Sequence, residues 1–212
     1  AIDDDIDAGC IADSHWKKGM SRTYAPPELT YEQFWGDFVG ADWPKGAKEV
    51  VLADAKELCR KMGHFKSKRS PRNGIVALLD KCAVAKIPVA IVSNALAGQV
   101  HRDVLKEMKL LDRFAFDVHS DDVRVRKPNP EMILIATRRL KVDPADTWYV
   151  GDNIDRDVLC GRRAGVGSSI HMLANSTEDP PYEVKVSPDA IVADPAGLLV
   201  LLEKALGEVP AR

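Results

Sequence analysis

Long apolar runs are missing from this sequence. None approaches the roughly 20 residues a membrane-spanning helix needs, and no leader-like apolar segment opens the chain, so a cytoplasmic location is the expectation. Cysteine is scarce: Cys10, Cys59, Cys82 and Cys160 stand far apart with no C-x-x-C pair, which argues against a disulfide framework. Cys59, Cys82 and Cys160 fall within apolar helical patterns and read as reduced core thiols. The five histidines are equally dispersed, and none sits at zinc-ligand spacing. Excess charge of either sign is also lacking, with 30 basic against 32 acidic residues. The chain as a whole therefore offers nothing to draw a nucleic acid or a membrane surface.

What is present divides into two parts. The first 70 residues hold three of the four tryptophans (Trp16, Trp35, Trp43) and no run of β-branched residues. Thr30-Tyr31-Glu32-Gln33 has the form of a capping box, which predicts a helix to about Val39. A second helix is predicted from near Pro44, with Val51, Ala55, Leu58 and Met62 on one face and Gly63 as its stop. Residues 1–70 thus read as a small helical lobe. A basic, turn-rich segment from Lys61 to Arg72 follows, either a solvated linker or a basic rim that draws anions toward a cleft.

From Gly74 onward, apolar strands alternate with amphipathic helices. Strands are predicted at Ile87–Val92, Phe114–Val118, Thr147–Val150, Ser169–Leu173 and Ala190–Ala193, with helices between and after them. This pattern predicts an α/β fold, a Rossmann-like doubly wound parallel sheet over residues 71–212. In such sheets ligands bind beyond the carboxyl ends of the strands.

Three segments reach that edge. Ser93-Asn94 follows a strand and precedes a helix, so it reads as an anion site or as a simple helix cap. Lys127, in Arg126-Lys127-Pro128-Asn129-Pro130, reads as a point charge for phosphate and for a carboxylate nucleophile, contributing little to folding so that Lys127→Met should leave stability nearly unchanged, or as a solvated loop lysine. In Tyr149-Val150-Gly151-Asp152-Asn153-Ile154-Asp155-Arg156-Asp157, a strand ends at a glycine and two carboxylates return to its tip. Such oxygens suit Mg²⁺, and they suit a helix N-terminus too.

Together these residues resemble motifs II, III and IV of the haloacid dehalogenase superfamily. They occur in the family's order, with 34 residues from Ser93 to Lys127 and 25 from Lys127 to Asp152. The resemblance implies an HAD-like core with a small α-helical cap formed by residues 1–70. It implies a Mg²⁺-dependent phosphatase acting on a small phosphorylated metabolite through an aspartyl-phosphate intermediate. Ser93, Asn94 and Lys127 would then bind the phosphoryl group, Asp152 would bind the metal, and Asp157 would support the metal shell or orient Lys127. The family's first motif, an apolar strand ending in D-x-D-x-[TV], has no clear counterpart. Asp5-Ile6-Asp7-Ala8-Gly9 is a degenerate candidate, and a strand upstream of Ala1 is the favoured alternative. A metal-free 2-haloacid dehalogenase-like enzyme and a non-catalytic HAD-like binding protein stay open beside the phosphatase.

Overall fold

A computed structural model describes residues 2–66, 69–174 and 179–208. Its amino-terminal part is helical. Helix α1 (Ile2–Met20) is followed by α2 (Tyr31–Gln33), which continues as a π-helical turn through Phe34–Val39, then by α3 (Lys45–Ala53) and α4 (Ala55–Lys66). The Thr30 capping box forms as the sequence predicts, with Gln33 N donating to Thr30 Oγ1 at 3.1 Å and Thr30 N to Gln33 Oε1 at 3.0 Å. Phe34, Trp35, Leu29 and Cys59 form a buried cluster on which Trp16 and Trp43 pack, so these indoles hold the lobe together.

Two local expectations fail here. The helix predicted from Pro44 breaks at Asp54 into α3 and α4. Gly63 does not stop α4, which runs on to Lys66. A Cβ at position 63 would meet Val100 Cγ2 at 2.9 Å, so this glycine lets α4 lie against a helix of the following part. Ser67 and Lys68 of the predicted basic segment lie outside the described residues, while Arg72 donates to Leu173 O and Ala193 O.

The α/β part follows the predicted alternation. Its elements are α5 (Ile75–Val84), β1 (Ala90–Ser93), α6 (Gly98–Glu107), β2 (Phe116–His119), α7 (Ser120–Val123), α8 (Glu131–Leu140), β3 (Trp148–Gly151), α9 (Leu159–Ala164), β4 (Ser168–Met172), β5 (Ala190–Val192) and α10 (Pro195–Ala205). All strand pairs among the described residues are parallel, and they fall into two sheets rather than one. β1 pairs with β2, and β3 pairs with β4, which pairs with β5. One helical layer packs Leu78 and Cys82 of α5 with Leu198 and Leu202 of α10 against Ile170 of β4. The other packs Ile133 of α8 with Cys160 and Ala164 of α9. Cys59, Cys82 and Cys160 are buried free thiols, as their apolar settings predict. No helix among the described residues is long and apolar enough to cross a membrane.

The helical part joins the α/β part through a buried ion pair. Pro27 bridges Val125 antiparallel, with Glu28 N donating to Arg124 O and Arg126 N to Pro26 O. This pairing carries Glu28 inward, where Arg126 Nη1 donates to its Oε1 at 2.8 Å, Leu29 N donates to the same oxygen at the same distance, and the Ser120 hydroxyl donates to Oε2. Glu28 and Arg126 are 5% and 2% exposed, so neither charge has water to fall back on. Removing one partner strands the other, which costs about 3–5 kcal/mol, whereas replacing both by apolar groups can be close to neutral. Glu28→Gln is therefore expected to lower unfolding free energy by about that amount. The double change Glu28→Leu with Arg126→Met should recover most of it, read from urea denaturation midpoints.

Candidate active site

β1 and β3 end at the same place, and the side chains predicted from sequence gather there. Lys127 Nζ donates to Asp157 Oδ1 at 2.6 Å and to Val92 O, at the end of β1, at 3.1 Å. Asn94 holds the Lys127 backbone from both sides, accepting from Lys127 N at 2.7 Å and donating to Lys127 O at 3.1 Å. Asn94, Lys127 and Asp157 thus form one connected set across two sheets, beside Ser93, the last residue of β1, whose hydroxyl lies 3.5 Å from Asn94 O. Asp152 joins it through its backbone N–H, which donates to Asp157 Oδ2 at 3.1 Å.

Asp157 is the most constrained of these groups. Its Oδ2 also accepts from Asn153 N at 3.0 Å, and its Oδ1 also accepts from Tyr149 Oη at 3.3 Å. A π-helical turn (Ile154–Val158) brings it back to the strand tip, against Gly151. A Cβ at position 151 would collide with the Asp157 carboxyl carbon, which is why the strand ends on glycine. Burial pushes this carboxyl upward, but the Lys127 ammonium and the Asn153 N–H outweigh it and hold it below the usual carboxylate range. The bland alternative of helix capping is thus partly right for Asp157, since it satisfies two backbone donors at a helix entry. Asp152 has a different setting. Its Oδ1 accepts from Asn153 Nδ2 at 2.9 Å, and its backbone oxygen lies 3.0 Å from His171 Nε2 at the end of β4.

Two readings of the sequence need correction. Ser93 and Asn94 are not helix caps, because α6 begins only at Gly98 and Ala97 occupies the cap position. The donors expected for an anion there are partly spent within the protein, since Ala95 N donates to Ser120 Oγ and Gly98 N to Asp121 Oδ2. Lys127 is not a solvated loop lysine either. Its side chain is 11% exposed and paired with one that is 4% exposed, so its replacement carries a structural cost.

The degenerate nucleophile candidate also fails. Asp5 and Asp7 lie on α1 and not on a strand, Asp7 is exposed, and Asp5 accepts from Trp43 Nε1 at 2.8 Å within the helical part.

Sequence reasoning missed three neighbours. Tyr149 donates weakly to Val92 O at 3.5 Å as well as to Asp157, and burial pushes its phenol well above the ordinary range. His101 Nδ1 lies 3.4 Å from Ser93 Oγ, and burial first, then the nearby cations, brings its pKa down to about 3, so it is neutral at ordinary pH. His171 was signalled only by its position at a strand end.

Comparison with known proteins places this arrangement. A family model described as haloacid dehalogenase-like hydrolase matches residues 29–170. The chain is 34% identical over 79 residues to a bifunctional riboflavin kinase/FMN phosphatase of Arabidopsis thaliana, covering 37% of this chain and 21% of the relative. It is 30% identical over 125 residues to the pyrophosphatase PpaX of Oceanobacillus iheyensis, covering 58% of this chain and 56% of the relative. The chain thus spans about a fifth and about half of these relatives' lengths. Among solved structures, an HAD phosphatase from Thermococcus onnurineus matches with a TM-score of 0.56 at 23% identity, covering 79% of this chain and 72% of the other, a likeness of fold.

The Lys127–Asp157 pair generates a stability prediction. Lys127→Met leaves a buried carboxylate without its cation and is expected to cost about 3–5 kcal/mol. The sign with pH follows from the lowered Asp157 pKa. Its stabilising contribution is full above the unfolded-state value of about 3.9 and is lost as pH falls through the lower folded-state value. The stability difference between the natural chain and Asp157→Asn should therefore be constant above about pH 5 and shrink below about pH 4. A difference that stays constant down to pH 2.5 in chemical denaturation would contradict the assignment.

Proposed function

The chain belongs to the haloacid dehalogenase-like hydrolases, and on that footing we propose that it supplies the phosphate- and metal-facing side of a Mg²⁺-dependent phosphatase for a small phosphorylated metabolite. The observation that carries this reading is the fixed Lys127 ammonium, 2.6 Å from Asp157, where the strands leading to Ser93 and Asp152 end. Phosphoryl transfer depends chiefly on positioning and on neutralising charge, and a buried lysine beside a hydroxyl and a carboxylate supplies both. The two relatives are named for an FMN phosphatase and a pyrophosphatase, which supports phosphate release as the common chemistry and leaves the metabolite unspecified.

In this reading Ser93 hydrogen-bonds the transferring phosphoryl group, with His101 against its hydroxyl. Lys127 neutralises the phosphoryl oxygens. Asn94 fixes the Lys127 backbone, and Asp157 aims its ammonium. The donor set fits Mg²⁺ in kind, since Asp152 offers a hard carboxylate oxygen at the same edge. Asp157 suits the role of orienting Lys127 better than that of a direct ligand, because four donors already occupy its two oxygens. Among the described residues no three His, Cys, Asp or Glu side chains gather around one point. An ion held by Asp152 would complete its shell with water, substrate phosphate and the attacking carboxylate, and would stabilise developing charge on phosphorus-bound oxygen.

The attacking carboxylate of an aspartyl-phosphate mechanism is not part of this constellation. Asp152 and Asp157 are committed elsewhere, and Asp5 lies in the helical part. We place it outside the residues described above. The helical lobe of residues 1–70 would serve as the cap that excludes water and selects substrate.

Once that carboxylate is supplied, hydrolysis of an aryl phosphate should require millimolar Mg²⁺. Asp152→Asn should then reduce the rate on the order of a thousandfold, the equivalent of several kcal/mol of lost charge stabilisation. Undiminished turnover in excess chelator would sink the metal-dependent reading, and release of halide from a 2-haloacid would then be the measurement to make.

A further inference from the structure

Three side chains meet on the face of β1 and β2 that is turned away from α8. Val92 and Val118 pack in one cluster with Met132 and Ala136 of α8, so strand alternation turns the next residue of each strand, Ser93 and His119, to the opposite face. These two are register partners in the parallel pair, which sets their side chains next to each other. α6 packs against them. Its Gly98 N donates to Asp121 Oδ2 at 2.9 Å, and a Cβ at position 98 would meet His119 Cβ and Cγ at 2.6 Å, so the helix begins in direct contact with the histidine. One turn later the same helix presents His101 to both Ser93 and His119.

His101 Nδ1 lies 3.4 Å from Ser93 Oγ, and its ring stands edge-on to that of His119, with centroids 5.1 Å apart and planes at 85°. His119 is 0% exposed, and neither of its ring nitrogens has a hydrogen-bond partner among the described residues. Asp117 Oδ2, 3.6 Å from His119 Nε2, accepts instead from Arg102 Nε at 2.7 Å. An imidazole held in this way acts by shape, as a wall against which the His101 ring rests.

The proton count at Ser93 decides what His101 does. A hydroxyl has one proton to give and two lone pairs. The Asn94 carbonyl, 3.5 Å away, is a distant acceptor for that proton. An ionised phosphoryl oxygen only accepts, so a phosphoryl group held by Ser93 takes the proton, and a nitrogen facing the same hydroxyl oxygen has to donate. His101 can serve, because burial first, then Arg69, His119, Lys127 and Arg102 around it, keep its ring neutral, with a single N–H to place on one nitrogen or the other.

We propose that His101 is a positioning residue for phosphoryl binding: it carries its proton on Nδ1 and donates it to Ser93 Oγ, which frees the serine's own proton for the phosphoryl oxygen, while His119 fixes the plane of the His101 ring. The inference rests on the phosphatase reading and deepens it, since it assigns the hydrogen that Ser93 uses and the group that orients it. The donated hydrogen bond also polarises the hydroxyl, because hydrogen bonds in a chain strengthen one another. The opposite arrangement, with Nδ1 accepting from Ser93, would turn a lone pair of the hydroxyl toward the phosphoryl oxygens and repel them. No signal in the sequence marks His101, because its partners come from β1 and β2 and are set by register.

Nitrogen-15 NMR of the full chain, labelled in histidine, reads the proton directly and needs no turnover. The long-range proton–nitrogen pattern of His101 is expected to show Nδ1 protonated and Nε2 bare. Ser93→Ala should speed solvent exchange of that proton about tenfold, as loss of one hydrogen bond would. A proton on Nε2, or exchange that Ser93→Ala does not move, would overturn the proposal. His119→Phe keeps the wall and should keep the tautomer, and a switched tautomer would overturn the role given to His119. The second measurement is the affinity for inorganic phosphate by titration calorimetry. His101→Leu should weaken it about tenfold, whereas His101→Asn, which keeps a side-chain N–H, should stay within about twofold. In a Ser93→Ala background His101→Leu should add nothing, and an equal loss in both backgrounds would make His101 merely structural and overturn the proposal. A protonated Nδ1 that depends on Ser93, in a chain that takes up no phosphate, would count against the proposed function and leave the His101–Ser93 hydrogen bond in place.

Discussion

The buried pair between Lys127 and Asp157 is what the catalytic edge hangs on. Lys127 comes from the loop before α8, Asp157 from the turn after β3, and the lysine also reaches the Val92 carbonyl near the end of β1. One ammonium thus spans the two sheets of the described residues at the point where chemistry is expected. Such a pair gives little net stability once desolvation is counted, but losing either member is costly. That asymmetry keeps both side chains in one place, and a fixed charge is what phosphoryl transfer uses. Tyr149 reinforces the arrangement by donating to the same two acceptors, Val92 O and Asp157 Oδ1.

A second buried pair does comparable work on the helical side. Glu28 and Arg126 fix the crossing strand of Pro26–Glu28 against residues 124–126, only one position from Lys127 in sequence. The ring of Trp16 lies 5.2 Å from the Arg126 guanidinium, so α1 rests on the same charge. The helical part therefore touches the loop that carries the lysine. Tyr31 adds a second tie, donating at 2.8 Å to Asp121, whose same oxygen accepts the first N–H of α6.

Much of this was legible in the sequence because local rules agreed with tertiary ones. The capping box at Thr30 formed where its residue types placed it. Ser93, Lys127, Asp152 and Asp157 came to one edge because β1 and β3 end there and the loop before α8 reaches across to it. Gly63 misled because a glycine that permits close helix packing looks the same, in sequence, as one that ends a helix. The stability cost of replacing Lys127 was missed because a basic loop hides which of its cations is turned inward. The break of the sheet between β1 and β3 was to be expected from the resemblance alone, whose first-motif strand has no clear counterpart here, since pairing depends on what stands beside a strand and not on its own residues. Tyr149 escaped notice because its hydroxyl acts on a strand distant in sequence.

The distribution of tryptophan gives the molecule a built-in optical asymmetry. Trp16, Trp35 and Trp43 pack in the helical part, where Trp35 is only 7% exposed, while Trp148 sits at the open edge of β3 with 39% of its surface in solvent. A soluble quencher such as iodide should reach the Trp148 indole well ahead of that of Trp35. Its emission then reports on the open strand edge, and the bluer remainder on the helices. Light alone can thus distinguish events at the start of β3 from events in the helical part.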